Sequence, residues 1–352
     1  MSRISVHLVT WNSARVLPEA LGSLRAQTFE DWSLVVVDNA SNDGTLDLVR
    51  RKMPEATVLR NFKNLGFAHG HNQAIRIASA KWALDDREGR MTDERYVLLL
   101  NPDIIMVPDF LEKLVAYADG KRGIGSFGGK LLKVLPRLQE HEDPRFTEII
   151  DTTGLRIHRK RRVTERGSGE KDEGQFDEAG EVFGISGALA LYRAEALESG
   201  VMEGLEIFDE DFFAYKEDID LAWRLRLLGW GAAYVPEAVA YHYRGTGSPE
   251  KNGLLKIARV RRGRSLSVNR YSARNHLLLL LKNDDGINGL LHAPFIWSYE
   301  IVKFVFTAVT SPRTLTAYLD VFRLSPKMWR KRASIMKRRK ASPAEIRRWF
   351  RA

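Results

Sequence analysis

The chain has 352 residues, no cysteine and a formal net charge of +10, with 44% hydrophobic and 28% charged residues. This composition is ordinary for a globular protein, and it excludes a disordered chain, a fibrous repeat and a disulfide scaffold. Without cysteine, the chain also has no cysteine nucleophile, zinc ribbon or iron–sulfur cluster.

Short apolar runs alternate with helical patterns along the first hundred residues. Strands are predicted at 4–9, 33–37, 57–59 and 96–100, and helices at 14–27, 46–52 and 72–80. This alternation predicts an α/β fold, a mostly parallel sheet with helices on both faces. The charged, glycine-containing segments 81–95 and 158–180 are predicted surface loops. Further along, 219–228 is predicted to be a helix and 232–235 a strand.

Polar clusters follow three of the predicted strands or lie at their ends. They are Thr10–Asn12, Asp38–Asn39 and Asn101–Asp103. Ligands of such sheets bind at the carboxyl ends of the strands, so the three clusters predict a shared cleft. A carboxylate such as Asp103 can hold a hard divalent cation. The alternative is an Asx turn that closes the strand.

Two adjacent carboxylates, Glu217 and Asp218, open the predicted helix 219–228. One interpretation is that they satisfy free amides and the helix dipole. The other is that one of them is a general base, kept ionised at neutral pH because the dipole lowers its pKa.

Two further features carry weaker signals. His242, between two tyrosines, is either a packed structural residue or a neutral metal ligand. The segment Asn64–Asn72 is rich in Gly, Asn and His and precedes a helix, so its backbone amides could approach a phosphate or a sugar.

Six segments, in this order, resemble glycosyltransferase family 2, whose members are inverting enzymes of the GT-A fold that use nucleotide-sugar donors. The segments are Val9–Asn12, Val37–Thr45, Asn64–Ala68, Leu100–Asp103, Gly187–Leu189 and Glu217–Leu221. Within the family the chain is most similar to the rhamnosyltransferase-like branch, as is the segment Arg270–Asn275. The resemblance implies a catalytic GT-A domain over 1–250 and a basic, largely helical extension over 251–352.

The resemblance also implies residue roles. The implied catalytic base is Asp218, supported by Glu217, and the implied ligands of Mg²⁺ or Mn²⁺ are Asp103, Asn101 and His242. Acceptor-side residues would be Gly187 and Arg193. Donor-binding residues would be Thr10, Asn12, Asp38, Asn64, Gly66, Asn72 and Asp103.

The implied reaction moves a hexosyl or deoxyhexosyl group, rhamnosyl included, from a dTDP-, UDP- or GDP-sugar to a hydroxyl of a lipid-linked or polysaccharide acceptor. One alternative is a non-catalytic GT-A module that binds nucleotide sugars or glycans, suggested by Asn101, which departs from the two-Asp versions of the family signature although Asn-x-Asp occurs in this branch. A sugar nucleotidyltransferase, which shares the sheet and the cation chemistry, is the other alternative.

The positive charge is concentrated in the last hundred residues. Residues 251–352 contain 23 Lys and Arg against 5 Asp and Glu, whereas residues 1–250 contain 32 against 40. A difference of this size predicts contact with a polyanion or an anionic membrane. Nucleic acid is disfavoured because no known nucleic-acid module accompanies the charge.

Residues 295–309 are predicted to form an apolar helix with one polar stripe of Glu300, Lys303 and Thr307. Basic residues flank it in the sequence, namely Arg261, Arg262, Arg264, Lys331, Arg332, Lys337, Arg338, Arg339 and Lys340. The pattern predicts a helix lying in an anionic membrane interface. The alternative is a helical hairpin packed on the catalytic domain.

The first ten residues lack the apolar run of a signal peptide, and no uncharged run reaches the roughly 18–20 residues that span a bilayer. The protein is therefore expected in the cytoplasm, peripheral on the inner face of the cell membrane.

Overall fold

The computed structural model describes residues 2–88, 94–135, 145–243, 263 and 265–351. The first part of the described chain forms β1 (Ile4–Thr10), α1 (Leu17–Arg25), β2 (Trp32–Asp38), α2 (Thr45–Lys52), β3 (Thr57–Arg60), α3 (Gly66–Arg87), β4 (Tyr96–Leu100), β5 (Ile104–Met106), α4 (Phe110–Asp119), β6 (Ile124–Leu135) and β7 (Arg145–Thr152). It continues with β8 (Leu155–Ile157), β9 (Val163–Glu165), β10 (Gly180–Glu181), β11 (Leu189–Arg193), α5 (Ala194–Ser199), α6 (Glu217–Leu227) and β12 (Gly231–His242). The C-terminal helices are α7 (Leu266–Asn283), α8 (Gly286–Leu291), α9 (Ala293–Thr310), α10 (Thr316–Lys337) and α11 (Pro343–Arg347).

The central sheet is mixed. Its main path has the order β10-β12-β6-β11-β4-β1-β2-β3. The parallel pairs β3–β2, β2–β1 and β1–β4 confirm the parallel sheet predicted from the first hundred residues. Strand β11 then runs antiparallel between β4 and β6, while β6 and β12 are parallel to each other. Strands β1, β2, β3, β4, β6 and β12 therefore point their carboxyl ends to the same edge, whereas β7 and β11 run in the opposite direction.

Helices cover both faces of the sheet, as predicted. Strands β2 and β4 are uninterrupted apolar runs because both of their faces are buried. Helices α1, α2 and α4 pack on one face, with Leu21, Val49 and Leu114 in its core. Helices α3 and α6 pack on the other face, where Ile75 and Leu225 are buried.

Two predicted loops contain regular structure. Helix α3 runs on to Arg87 because Trp82 and Asp85 are buried on its inner face, so the loop predicted at 81–95 begins too early. The segment predicted as a loop at 158–180 contains β9, which pairs with β8. Two of its acidic residues also fix this segment to β6, since Lys130 Nζ lies 2.8 Å from Asp172 and 2.6 Å from Asp177.

The C-terminal helices pack on the sheet-bearing part of the chain through the outer side of α6. Trp223 and Leu227 of α6 share a buried core with Leu278 of α7, Met328 of α10 and Phe350. The predicted boundary between 250 and 251 lies outside the described residues, as do Arg261, Arg262 and Arg264.

A buried ion cluster ties this junction together. The Lys282 ammonium lies 2.5 Å from Asp209 and 2.8 Å from Asp220, and all three side chains are fully buried. Lys331 lies 2.5 Å from the other oxygen of Asp209. Arg224, also fully buried, lies 3.1 Å from Asp220. Buried charges of this kind persist only when each has a partner, so α6, α7 and α10 are held in one arrangement.

Replacement of Lys282 tests this cluster. We expect Lys282→Met to lower the free energy of unfolding by about 3–5 kcal/mol, because it leaves buried carboxylates without their partner. Lys327→Met is the control, since Lys327 pairs with Asp211 at a partly exposed position, where the loss should be below about 1 kcal/mol. Urea unfolding measures both; equal losses would contradict the role given to the buried cluster.

Candidate active site

A cleft of about 830 Å³ opens at the carboxyl edge of the sheet. Asn101 and Asp103 follow β4, His242 ends β12, and Gly187 precedes β11. The first turn of α6 brings Glu217 and Asp218 to the same cleft. The structure therefore brings the predicted metal ligands and the predicted catalytic carboxylates together, although Asn101 and Asp103 precede Glu217 by more than a hundred residues.

The loop before α6 has an unusual backbone. Phe213, Tyr215 and Lys216 all have positive φ angles, of 62°, 72° and 73°. Such conformations cost roughly 1–3 kcal/mol per residue unless the surroundings enforce them. Here the Asn275 side-chain amide of α7 donates hydrogen bonds to the carbonyl oxygens of Phe212, Ala214 and Tyr215. Helix α7 thus fixes the loop that positions the two carboxylates.

Asp218 is aimed across the cleft by backbone amides. Its Oδ2 accepts a hydrogen bond of 3.0 Å from the amide of Gly187, and its Oδ1 accepts one of 2.8 Å from the amide of Ile219. A Cβ on Gly187 would lie 3.0 Å from the Cβ of Asp218. Gly187 therefore lets the segment before β11 approach α6 closely, and its amide orients the Asp218 carboxylate.

Glu217 differs from its neighbour. Burial, and then the charge of Asp218, raise the pKa of Glu217 to about 8. Its Oε2 is buried without a hydrogen-bond partner among the described residues. At Glu217 desolvation therefore outweighs the helix dipole, so of the two carboxylates Glu217 does not fit the ionised general base that the sequence predicts.

The sequence analysis missed Lys216, which also lines the cleft. Burial, then repulsion by Lys303, lower the pKa of Lys216 to about 8. In the sequence, a lysine before two acidic residues does not indicate a cleft residue, because its left-handed backbone and partial burial depend on α7 and α9.

Asp103 and His242 form the candidate cation site. The Nε2 of His242 lies 3.4 Å from Asp103 Oδ2, and its Nδ1 lies 2.8 Å from Asp151 Oδ2. Burial lowers the pKa of His242, but the hydrogen bonds to Asp103 and Asp151 raise it to about 9. Asp103 Oδ1 is buried with no hydrogen-bond partner among the described residues. A spare carboxylate oxygen beside an imidazole fits a divalent cation.

Asp151, a second residue missed from the sequence, orients the imidazole and lies within β7. Asn101 lines the cleft as predicted. Within the described ranges, no group of three or more His, Cys, Asp or Glu side chains is placed to hold a metal ion. The predicted set of Asp103, Asn101 and His242 therefore stays a prediction.

Thr10, Asn12 and Asp38 lie together at the ends of β1 and β2. The Thr10 hydroxyl donates to Asp38 Oδ1 at 2.9 Å, and the Ser41 amide donates to Asp38 Oδ2 at 3.0 Å. Asn12 Oδ1 accepts from the amide of Asn42. Asp38 is fully buried, and through these hydrogen bonds it fixes the loops that follow β1 and β2. Its predicted contact with a nucleoside stays a prediction.

Asn64, Gly66 and Asn72 organise the start of α3. Asn64 Oδ1 accepts from the Gly66 amide, and a Cβ on Gly66 would lie 2.4 Å from the carbonyl oxygen of Phe213. Asn72 is buried, and its amide bridges to Phe208 and Glu210. These bonds connect α3 to the loop before α6, and Asn72 is not among the residues that line the cleft.

Arg193 lies away from the cleft. It ends β11 opposite Tyr96, at the amino end of β4, whereas Leu189 at the other end of β11 pairs with Leu100. Its guanidinium is buried and lies 2.7 Å from Glu94. The predicted acceptor-side role of Arg193 is therefore not supported, because an antiparallel strand carries the residue to the far edge of the sheet.

Comparison with known proteins identifies a family and related enzymes. The sequence profile described as Glycosyl transferase family 2 matches residues 5–200. The N-acetylglucosaminyl-diphospho-decaprenol L-rhamnosyltransferase of Mycobacterium tuberculosis is 27% identical over 256 residues, 68% of this chain and 76% of that protein. Rhamnosyltransferase WbbL of Escherichia coli is 29% identical over 232 residues, which cover 64% of this chain and 77% of that protein.

Among solved structures, GalNAc-T7 crystallised with UDP, GalNAc and Mn²⁺ aligns with 79% of this chain at a TM-score of 0.55 and 14% identity. The chain spans about half of that protein, 48% of its length. At this identity the likeness concerns the fold alone. Together with the family match it confirms the predicted GT-A architecture with helices added at the C-terminus.

The raised pKa of Glu217 predicts a pH-dependent stability. The folded state keeps a proton on Glu217 between the ordinary glutamate pKa of 4.5 and its raised pKa of about 8, so the free energy of unfolding falls as pH rises through this window. We expect Glu217→Gln to remove that fall, gaining roughly 2–5 kcal/mol relative to the wild type between pH 5 and 9. Glu237→Gln, the same change at an exposed position, is the control. Thermal unfolding at both pH values measures the difference, and a constant difference would refute the assignment.

Proposed function

The chain belongs to glycosyltransferase family 2 and is a glycosyltransferase, and from that premise we propose a specific reaction. The enzyme transfers a rhamnosyl or related deoxyhexosyl group from a nucleoside-diphosphate sugar to a hydroxyl of a lipid-linked glycan, with inversion at the anomeric carbon. The names of the two relatives support the sugar, and that of the mycobacterial relative supports a diphosphate-lipid acceptor. The candidate catalytic residue is Asp218.

One observation carries this proposal: the Asp218 carboxylate and the Asp103–His242 pair line a single cleft. Inverting transfer needs an acceptor hydroxyl to attack in line, with a carboxylate taking its proton on the side opposite the leaving group. Asp218 can supply this carboxylate, because the amide of Gly187 fixes one of its oxygens and the cleft is open to an acceptor. The candidate base lies on α6 and the candidate cation site lies after β4 and at the end of β12. Their position on separate elements suits in-line displacement of the leaving group.

The neighbouring carboxyl has a different part. Since burial raises the pKa of Glu217 to about 8, this group is mainly protonated at neutral pH. A neutral Glu217 adds no second negative charge beside Asp218 and can donate a hydrogen bond to the acceptor. This supports the division of roles predicted from the resemblance, with Asp218 as base and Glu217 as the positioning group.

Asp103 and His242 would hold Mg²⁺ or Mn²⁺, with Asp103 Oδ1 as the oxygen ligand and Asp151 orienting the imidazole. When bound, the cation stabilises negative charge on the leaving nucleoside diphosphate. The loops that follow β1 and β2, with Thr10, Asn12 and Asp38, would border the nucleoside of a dTDP-, UDP- or GDP-sugar. The Asn64–Gly66 turn would border the donor from α3.

Asp218→Asn tests the base. We expect kcat to fall roughly 10²- to 10⁴-fold, because proton transfer from the acceptor loses its carboxylate. Binding of the donor, measured by calorimetry, should be unchanged, and Asp47→Asn on exposed α2 is the matched control. The product also matters: release of nucleoside diphosphate is expected, and release of pyrophosphate would indicate a nucleotidyltransferase. Full turnover by the variant would refute the catalytic role.

The C-terminal helices carry a second part of the proposal, contact with an anionic membrane. Helix α9 has its polar stripe on the inside: Glu300 lies 2.8 Å from His276 of α7 and 3.0 Å from Lys303, and Glu300 and Thr307 are buried. Its apolar side is exposed and continues onto α8 and α10. We define this apolar face as Ile287, Leu290, Leu291, Phe295, Trp297, Ile301, Val302, Phe304, Val305, Val309, Leu319 and Phe322.

Such a face is a typical interaction surface, and a lipid bilayer is the partner that fits it best. Basic groups stand at its border: the Arg159 guanidinium lies over the ring of Phe295, and the Lys160 ammonium over that of Tyr299. No helix in the described ranges has the length and apolarity needed to cross a bilayer. The proposed mode is therefore a face resting on the headgroup region, where a lipid-linked acceptor is held.

Vesicle flotation tests the apolar face. Wild-type protein should float with phosphatidylcholine vesicles that contain phosphatidylglycerol, and less so with phosphatidylcholine alone or at high salt. We expect Leu290→Glu/Val309→Glu to stop flotation, because both side chains are exposed in the folded protein. Phe62→Glu, an equally apolar exposed site on the catalytic part, is the control. Flotation by the double variant at the wild-type level would contradict the proposal.

A further inference from the structure

An arginine pocket lies beside the catalytic cleft, with a volume of about 330 Å³ between α7 and α10. It is lined by Ser267, Arg270, Tyr271, Arg274, Asp320, Arg323 and Leu324. We propose that this pocket binds the diphosphate group of the lipid-linked acceptor. The inference rests on the proposed function and adds to it the part of the acceptor that the chain recognises outside the reacting sugar.

The pocket carries uncompensated positive charge. It contains three guanidinium groups and one carboxylate, Asp320, which lies 2.8 Å from Arg270 and 3.8 Å from Arg323. Asp211 does not neutralise it, because its carboxylate is bound by Lys327 at 2.7 Å and Lys331 at 3.0 Å. The remaining charge of +2 matches a diphosphate group that carries two negative charges.

The geometry of the donors also fits phosphate. Guanidinium groups bind phosphate oxygens through two parallel hydrogen bonds, which an ammonium does not. The pocket covers the first turns of α7, whose N-terminus adds a favourable partial charge toward anions. Arg323 is 79% exposed and its contact with Asp320 is long, at 3.8 Å, so its guanidinium can turn to a ligand.

The pocket and the cleft lie on different sides of the same helix, α7. Val268 and Ser272 of α7 line the cleft that contains Asp218, while Arg270 and Arg274 of the same turns line the pocket. Tyr271 connects the two, since its ring stacks on Phe213 at 5.0 Å, in the loop before α6. An acceptor with its reacting hydroxyl at Asp218 would extend past the first turns of α7 to place its diphosphate in the pocket.

The donor does not compete for this place. Its diphosphate is assigned to the Asp103–His242 side of the cleft, on β4 and β12, whereas the arginine pocket lies on the C-terminal helices. A glycan without phosphate would leave the positive charge uncompensated. An anionic lipid headgroup shares the phosphate chemistry, so the experiment must distinguish the two sources.

The test compares acceptors that differ only in the diphosphate. One is a monosaccharide linked through diphosphate to a short isoprenyl chain, and the other is the same monosaccharide as a neutral alkyl glycoside. The variant is Arg270→Gln/Arg323→Gln; Arg274 is kept because it donates to the carbonyl oxygens of Asp211 and Phe212. Arg330→Gln, an exposed arginine of α10 outside the pocket, is the control.

We expect the double variant to raise KM for the diphosphate acceptor roughly 10- to 100-fold with the donor KM unchanged, because two charge-assisted contacts are lost. The preference for the diphosphate acceptor over the neutral one should fall by the same factor. A preference equal to that of the wild type overturns the proposal.

Two binding measurements separate the possible failures. If the wild type transfers sugar to neither acceptor, the proposed function fails, and calorimetry with farnesyl diphosphate and farnesol still tests the pocket. Tighter binding of farnesyl diphosphate that is lost in the double variant supports the pocket, and equal binding overturns it. If the double variant loses flotation on phosphatidylglycerol vesicles but keeps its affinity for farnesyl diphosphate, the pocket serves lipid headgroups and the proposal is overturned.

Discussion

The buried charge cluster around Asp209 and Lys282 is the interaction on which the rest of the site depends. Asp209 lies just before the loop that leads to α6, Asp220 lies within α6, and Lys282 and Lys331 come from α7 and α10. Each charge is tolerable in the core only because the others are present. The arrangement makes the C-terminal helices part of the structure that holds Glu217 and Asp218 in the cleft.

This support explains how two adjacent carboxylates acquire different environments. The loop before α6 adopts left-handed conformations that an isolated chain would avoid, and the Asn275 amide compensates by satisfying three of its carbonyl groups. As a result Asp218 reaches the amide of Gly187, while Glu217 turns into a buried site that favours its protonated form. One backbone constraint thus separates a candidate base from a neutral neighbour.

The same helices present two chemically distinct surfaces. Between α7 and α10 they form an arginine pocket; elsewhere, α8 and α9 expose apolar side chains while the polar stripe of α9 is buried. A helix with its polar side inward is stable in water only if the buried groups pair, as Glu300 does with His276 and Lys303. In the last hundred residues the positive charge of the arginine pocket and the exposed side chains of the apolar face therefore lie in separate places.

The sequence by itself determined the strand and helix alternation, the polar clusters at strand ends and the family resemblance, because these depend on local pattern and on short motifs. It did not determine that β11 runs antiparallel, which carries Arg193 to the far edge, nor that burial raises the pKa of Glu217. Asp151 and Lys216 were missed for the same reason. Strand direction, desolvation and long-range pairing arise only when distant segments meet, so the tertiary structure alone decided them.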